Sequence, residues 1–222
     1  KRAERLFWLT GFSGSAGQAF ILKNKATLFT DGRYTLQAKT EVNVKDYACL
    51  DSNIESVNNW LIEHIKKDSI IGFDPWLHTE PQVRAFESTL TPLNATLNPV
   101  LENFVDAIWK NQPPAPLSMC EAHSFEFSGE TCESKHRKIS EYLKKIGCNV
   151  LVLSAPDSIA WVLNIRGGDV PFTPFTLSFA LFYADSSFDW FVDERKLTKK
   201  LREALPPKVK VKPPQSLLVS IK

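Results

Sequence analysis

Trp8-Leu9-Thr10-Gly11-Phe12-Ser13-Gly14-Ser15-Ala16-Gly17 and Thr30-Asp31-Gly32-Arg33-Tyr34 are the stretches on which the reading of this chain turns. Between them lie two short apolar runs, 18–22 and 27–30, around Lys23-Asn24-Lys25, which is the pattern of a β-hairpin. The Asp31-Gly32 pair ends the second strand, and helix-forming residues resume from 34 to 41. The order is a glycine-rich loop, a hairpin, and a tight corner that aims one guanidinium, that of Arg33, at a fixed place.

Working outward, strand and helix alternate. Ser52 with Glu55 makes a capping box, and Ile54, Val57, Leu61 and Ile65 then recur on one helical face. Residues 70–73 read as a strand broken by Asp74-Pro75, and Thr79 with Gln82 caps a second helix that runs to Leu90. Apolar residues keep helical spacing over 102–109, and Gln112-Pro113-Pro114-Ala115-Pro116 then stops any regular element. That proline run marks a boundary between a first domain, 1–112, and a second, 113–222. The second half repeats the layout: a helix over 135–146 ended by Gly147, a strand at 150–153, and a helix capped by Asp157 that breaks at Arg166-Gly167-Gly168. Strands at 176–183 and 188–192, a charged helix over 194–205 and an edge strand at 208–212 complete it. Both halves read as α/β sandwiches with mixed sheets.

Composition sets the outer limits. The chain has 222 residues, 43% hydrophobic and 23% charged, which suits two domains of about 100 residues better than one. With 27 basic and 25 acidic residues and no basic cluster, nucleic acid is not an expected partner. The longest apolar runs are too short to cross a bilayer and no signal peptide opens the chain, so a cytoplasmic protein with no membrane partner is expected. Cys49, Cys120, Cys132 and Cys148 form no CxxC pair; reduced thiols are the simplest account, with a Cys120–Cys132 disulfide as the alternative.

Little in the sequence carries bond-breaking chemistry. Gly11, Gly14 and Gly17 match neither the P-loop nor the dinucleotide pattern, so they are read as glycines that permit close packing. His64, His78, His123 and His136 show no metal-ligand spacing, and no nucleophile elbow is present. Arg33 stands apart: a guanidinium held at a turn grips a carboxylate or peptide carbonyl with two parallel hydrogen bonds, or else it merely pairs with Asp31. Arg166, beside Gly167-Gly168-Asp169, has the same ambiguity, with a structural salt bridge or helix-end contact favoured.

The two opening motifs, Gln37-Ala38, Ile108-Trp109 before the prolines, and the run from Asp157-Ser158-Ile159-Ala160-Trp161 through Arg166-Gly167-Gly168-Asp169-Val170 with Pro174 resemble, in order and spacing, the three-domain Xaa-Pro aminopeptidases, also called aminopeptidase P. The resemblance implies two consecutive creatinase N-terminal-like αβα sandwiches, followed in the whole protein by a pita-bread metallopeptidase domain. That domain holds two divalent metal ions, commonly manganese, and cleaves the bond between an N-terminal residue and a following proline. It is absent here, so no catalytic residue, metal ligand or cofactor is assigned to this chain, and the 222 residues are expected to be inactive. The family's substrate-binding arginine falls on Arg33, and a peptide substrate and a homodimer of the whole protein are the implied partners. The family usually has a further strand and helix before the Trp-Leu-Thr-Gly-Phe region, so the first domain is expected to lack its N-terminal part and to expose a strand edge; the second is read as ending slightly short. A rival reading is the interaction module of a pita-bread relative without peptidase activity; near-neutral charge and the intact Thr-Asp-Gly-Arg-Tyr favour the peptidase. A creatinase-like or dipeptide-cleaving relative, with its single N-terminal domain, fits two domains less well.

Overall fold

A computed structural model describes residues 2–221. They fall into two compact units, Lys1–Pro114 and Ala115–Lys222.

In unit 1, helix α1 (Arg5–Thr10) ends at Gly11, whose φ of 79° is the left-handed turn that lets the chain reverse. Strands β1 (Gly17–Leu22) and β2 (Lys25–Thr30) form the hairpin, with Leu22 opposite Lys25. After α2 (Thr35–Glu41), β3 (Tyr47–Asp51) pairs with β2 in parallel, giving the order β1-β2-β3. Helix α3 (Val57–His64) leads to β4 (Ile70–Phe73), and α4 (Glu80–Leu90) returns the chain to β5 (Thr96–Pro99), parallel to β4 in a separate two-stranded sheet. Alternation along the strands makes the layers. Phe29 and Leu50 turn to one face with Trp60, Leu61 and Leu90 of the helices, while Leu28 and Cys49 turn to the other with Phe12 and Ala38. Helix α5 (Phe104–Ile108), capped by the Asn103 side chain, closes the unit against α1. Arg5 donates twice to Asp106, Nε to Oδ1 and Nη2 to Oδ2 at 2.7 Å each, and the Trp8 and Trp109 rings stack at 5.4 Å.

In unit 2, short strand β6 (Glu121–Ala122) and helix α6 (Phe125–Ser128) precede α7 (Cys132–Lys145), capped by the Thr131 hydroxyl, with Gly147 beyond it at φ 70°. Strand β7 (Val150–Leu153) leads into α8 (Pro156–Leu163), and β8 (Ile165–Arg166) pairs with β6. Strands β9 (Phe179–Tyr183), β10 (Phe188–Phe191) and β11 (Val209–Lys212), with α9 (Lys199–Ala204) before β11, build a mixed sheet ordered β11-β10-β9-β7. Its main core joins Phe182, Phe188 and Trp190 to Leu143 of α7 and Ile159 of α8, while α10 (Leu217–Ile221) covers Leu181 and Phe191 on the opposite face. The α/β class with mixed sheets therefore stands.

Several local expectations need correction. Helix α3 starts at Val57 with Ser56 as its cap residue; Asp51 carbonyl instead accepts from Ile54 N and Glu55 N, so the Ser52–Glu55 pair lies in a turn before the helix. Helix α8 begins at Pro156, one residue before Asp157, and stops at Asn164, whose φ of 49° is left-handed, ahead of the glycines. The charged helix is divided: a 3-10 turn at Glu194–Lys196 is followed by α9, because Thr198 caps a fresh start by accepting from Leu201 N. Strands β3 and β5 were not expected at all.

Candidate functional site

The corner at Asp31-Gly32 is built from the strand outward. Thr30 closes β2 by donating its hydroxyl to Ala16 O at 2.6 Å, which ties the corner to the end of the glycine loop. Tyr34 N then donates to Asp31 O, completing the turn. Within it the Asp31 carboxylate receives Arg33 N and Nε on Oδ1 at 3.0 Å each, and Nη2 on Oδ2 at 2.7 Å. The guanidinium is 70% exposed but fixed in direction, and it lies over the Tyr34 ring at 5.2 Å. The bond to Arg33 holds the Asp31 carboxyl below its ordinary value, and Arg33 is raised in return.

The glycine loop supports this corner. Tyr34 OH and Ser15 Oγ share a 2.7 Å hydrogen bond, and the Tyr34 ring meets Phe12 edge to face. A Cβ on Gly14 would stand 2.2 Å from Phe12 Cζ, so the close packing read from the sequence is required here. Ser13 donates its N and Oγ to Glu41 at 2.8 Å each, and Gln37 Nε2 donates to both Ser13 Oγ and Glu41. The backbone bond from Ser13 leads in lowering the Glu41 carboxyl.

Of the two roles open to Arg33, pairing with Asp31 is realised, and it leaves Nη1 unspent by that pair. Among the described residues Arg166 makes neither a salt bridge to a neighbouring acid nor a helix-end contact of the expected kind: its Nη1 donates to Ile165 O. The ion pair of that region is Lys196 with Asp169, 2.5 Å apart with side chains 6% and 0% exposed. Asp169 also accepts from Ser118 N and Leu177 N. A second lysine, Lys135, is buried on α7 and donates to Trp161 O and Asn164 Oδ1, satisfying the end of α8. Neither lysine was expected inside: Lys196 sits in the charged Glu194-Arg195-Lys196 turn and Lys135 shares its buried face with His136 and Ser140, so no local pattern marks either.

The histidines serve packing. His64 Nδ1 and His78 Nδ1 bond Trp60 O and Asp74 O, His123 stacks on Phe127, and His136 stacks on Phe188. Among the described residues no three His, Cys, Asp or Glu side chains are grouped to hold a metal ion, and all four cysteines are free. No helix of the described residues is long and apolar enough to cross a membrane.

The comparisons agree with this architecture. Family models described as Creatinase/Prolidase N-terminal domain match residues 1–104 and 111–222. A probable Xaa-Pro aminopeptidase P of Coccidioides posadasii (strain RMSCC 757 / Silveira) is 35% identical over 224 residues, covering 99% of this chain and 36% of that protein. Aminopeptidase P1 of Arabidopsis thaliana is 34% identical, covering 89% of this chain and 30% of its own length. The crystal structure of X-prolyl aminopeptidase from Caenorhabditis elegans, titled a cytosolic enzyme with a di-nuclear active site, superposes with a TM-score of 0.93 at 28% identity, covering 99% of this chain and 36% of that one. The chain thus spans about a third of the length of these relatives. Two family matches in tandem, one on each α/β unit, place the chain in the creatinase/prolidase N-terminal domain family, in the arrangement found in Xaa-Pro aminopeptidases.

Proposed function

We propose that this chain is the non-catalytic N-terminal part of an Xaa-Pro aminopeptidase, an enzyme that releases the first residue from peptides with proline second, and that it contributes substrate positioning and assembly. The observation that carries the reading is the orientation of Arg33. Asp31 engages Nε and Nη2, so both N–H groups of Nη1 and one of Nη2 are left outside that pair. A peptide carbonyl or carboxylate beyond the scissile bond is the group they suit. Tyr34 and the Ser13–Glu41 network hold the loop so that little is left to order when a peptide arrives.

The described residues do not fit a metal pair, since no ligand cluster exists among them. In this reading the two divalent ions, manganese being the expected metal, belong to a part of the protein outside these 222 residues, and the chain alone hydrolyses nothing. The whole protein is read as a cytoplasmic homodimer. In the full-length enzyme Arg33→Lys loses one bidentate, charge-assisted grip, an effect of about 1.5–3 kcal/mol, or ~10- to 100-fold in kcat/KM. The loss is expected mainly in KM, with metal content by elemental analysis unchanged; unaltered kinetics would reject the assignment.

A further inference from the structure

Strands β6 and β8 of unit 2 carry a group of cations that the role proposed for Arg33 leaves unused. Their antiparallel register sets Ala122 opposite Ile165 and Glu121 opposite Arg166, and just beyond the pair His123 N donates to Asn164 O at 2.7 Å. Ile165 turns into the core, 1% exposed. Side chains alternate along a strand, so His123 and Arg166 share the other face as diagonal neighbours, close enough for side chains of their length to act on one group. Arg166 spends one N–H on Ile165 O at 2.8 Å and, among the described residues, forms no ion pair, although Glu121 stands opposite it. Both Arg166 and His123 are half-buried.

A third cation is tied to the same face. Lys135 is 1% exposed, and its Nζ bonds two neutral oxygens, Trp161 O at 2.9 Å and Asn164 Oδ1 at 2.6 Å, while lying 4.5 Å from the Trp161 ring centroid. Asn164 is also the residue whose carbonyl holds His123 N. Its Nδ2 donates to Glu130 O, but the Glu130 carboxylate is committed elsewhere, to Lys138 at 2.7 Å and Ser134 at 2.6 Å. Desolvation, then the charges of Arg166 and Lys135, push the His123 imidazole below its ordinary value, so the three groups share one field. Cations withdrawn from water without a matched anion are costly, and such arrangements gather where a charged ligand is to be held.

From these observations we infer that the β6–β8 face is a carboxylate-binding site, in which Arg166 offers paired N–H groups, His123 adds a ring N–H, and Lys135 contributes its field without contact. Phe127 is 75% exposed and stacks on His123 at 5.9 Å, giving the site an apolar rim. Such a rim suits a carboxylate borne on a peptide chain better than a free, fully hydrated phosphate. This inference does not depend on the role proposed for Arg33.

Arginine Nε–Hε and histidine ring NMR signals of the 222-residue chain provide the test. The probes are acetyl-Ala-Ala-Phe with a free carboxylate, its C-terminal amide, acetyl-Ala-Glu-Phe amide, and inorganic phosphate. The Arg166 and His123 signals are expected to shift together and saturably with a carboxylate probe, which should bind at least ~10-fold more tightly than the uncharged amide. The free acid acting alone identifies a chain terminus as the ligand; the Glu peptide acting as well identifies an acidic side chain. Arg166→Lys keeps the charge and removes the fork, and should weaken binding by ~10-fold or more. Carboxylates that shift neither signal, shifts confined to Arg33, an amide that binds as well as the acids, phosphate bound where no carboxylate is, or unchanged affinity in Arg166→Lys would each overturn the inference.

Discussion

Phe172 occupies a position that its side chain should avoid. It follows Pro171 in the turn closed by Thr173 N on Val170 O, with φ at 60°, the place where such a turn normally holds glycine, and its ring is wholly exposed. Left-handed backbone costs a residue with a Cβ roughly 1–2 kcal/mol, and no burial of this ring offsets it. Phe172→Gly should therefore stabilise unit 2 by about 1 kcal/mol after the added freedom of the unfolded chain is counted, readable as a higher urea midpoint. The same loop is anchored by Asp169 and Lys196, buried together. Lys196→Met would leave a carboxylate inside without its cation, at a cost of about 3–5 kcal/mol; a urea midpoint like that of the parent chain would show that the pair is dispensable. Legibility in the sequence divides along the same line. Arg33 and its corner could be read because their cause is local, an Asp-Gly turn with the partner acid two residues away. Lys196 could not, since Asp169 lies 27 residues earlier and only the fold brings them together.

Among elements, the capping box at Thr79–Gln82 formed and the one at Ser52–Glu55 did not. The second lost to Asp51, whose carbonyl and side chain organise the turn after β3, so that the helix starts later. Strands β3 and β5 escaped notice for a related reason: Tyr47–Asp51 and Thr96–Pro99 are short, lack alternation, and are strands only because β2 and β4 offer parallel partners. The hairpin, by contrast, is closed by neighbours in sequence. Helix α7 carries a pH dependence of its own. His136 is buried between Phe182 and Phe188, with Nε2 unbonded, and burial leads in lowering its pKa, against a smaller opposing pull from Glu133. The unfolded chain thus binds this proton more readily than the folded one. Stability is retained above the unfolded pKa of about 6.5 and falls as pH drops below it, by up to ~1.4 kcal/mol per pH unit. Urea midpoints of residues 115–222 between pH 7.5 and 5 should show this slope, and His136→Phe should flatten it.

At the level of the whole molecule the two units differ in their sheets. Unit 2 has a four-stranded sheet with helices on both faces beside the short β6–β8 pair, whereas the largest sheet of unit 1 has three strands. Calorimetry on 115–222 and on 1–114, each made separately, should give the higher and sharper transition for the former. The clasp between α1 and α5 bears on how unit 1 comes to exist in the first place. Arg5 finds Asp106, and Trp8 finds Trp109, only after about a hundred intervening residues have been made. During translation the unit must wait, with its hairpin formed and its apolar helices uncovered, until those last two side chains have cleared the ribosomal tunnel; a nascent chain stopped short of Asp106 should stay protease-sensitive, and one stalled well beyond the proline run should not.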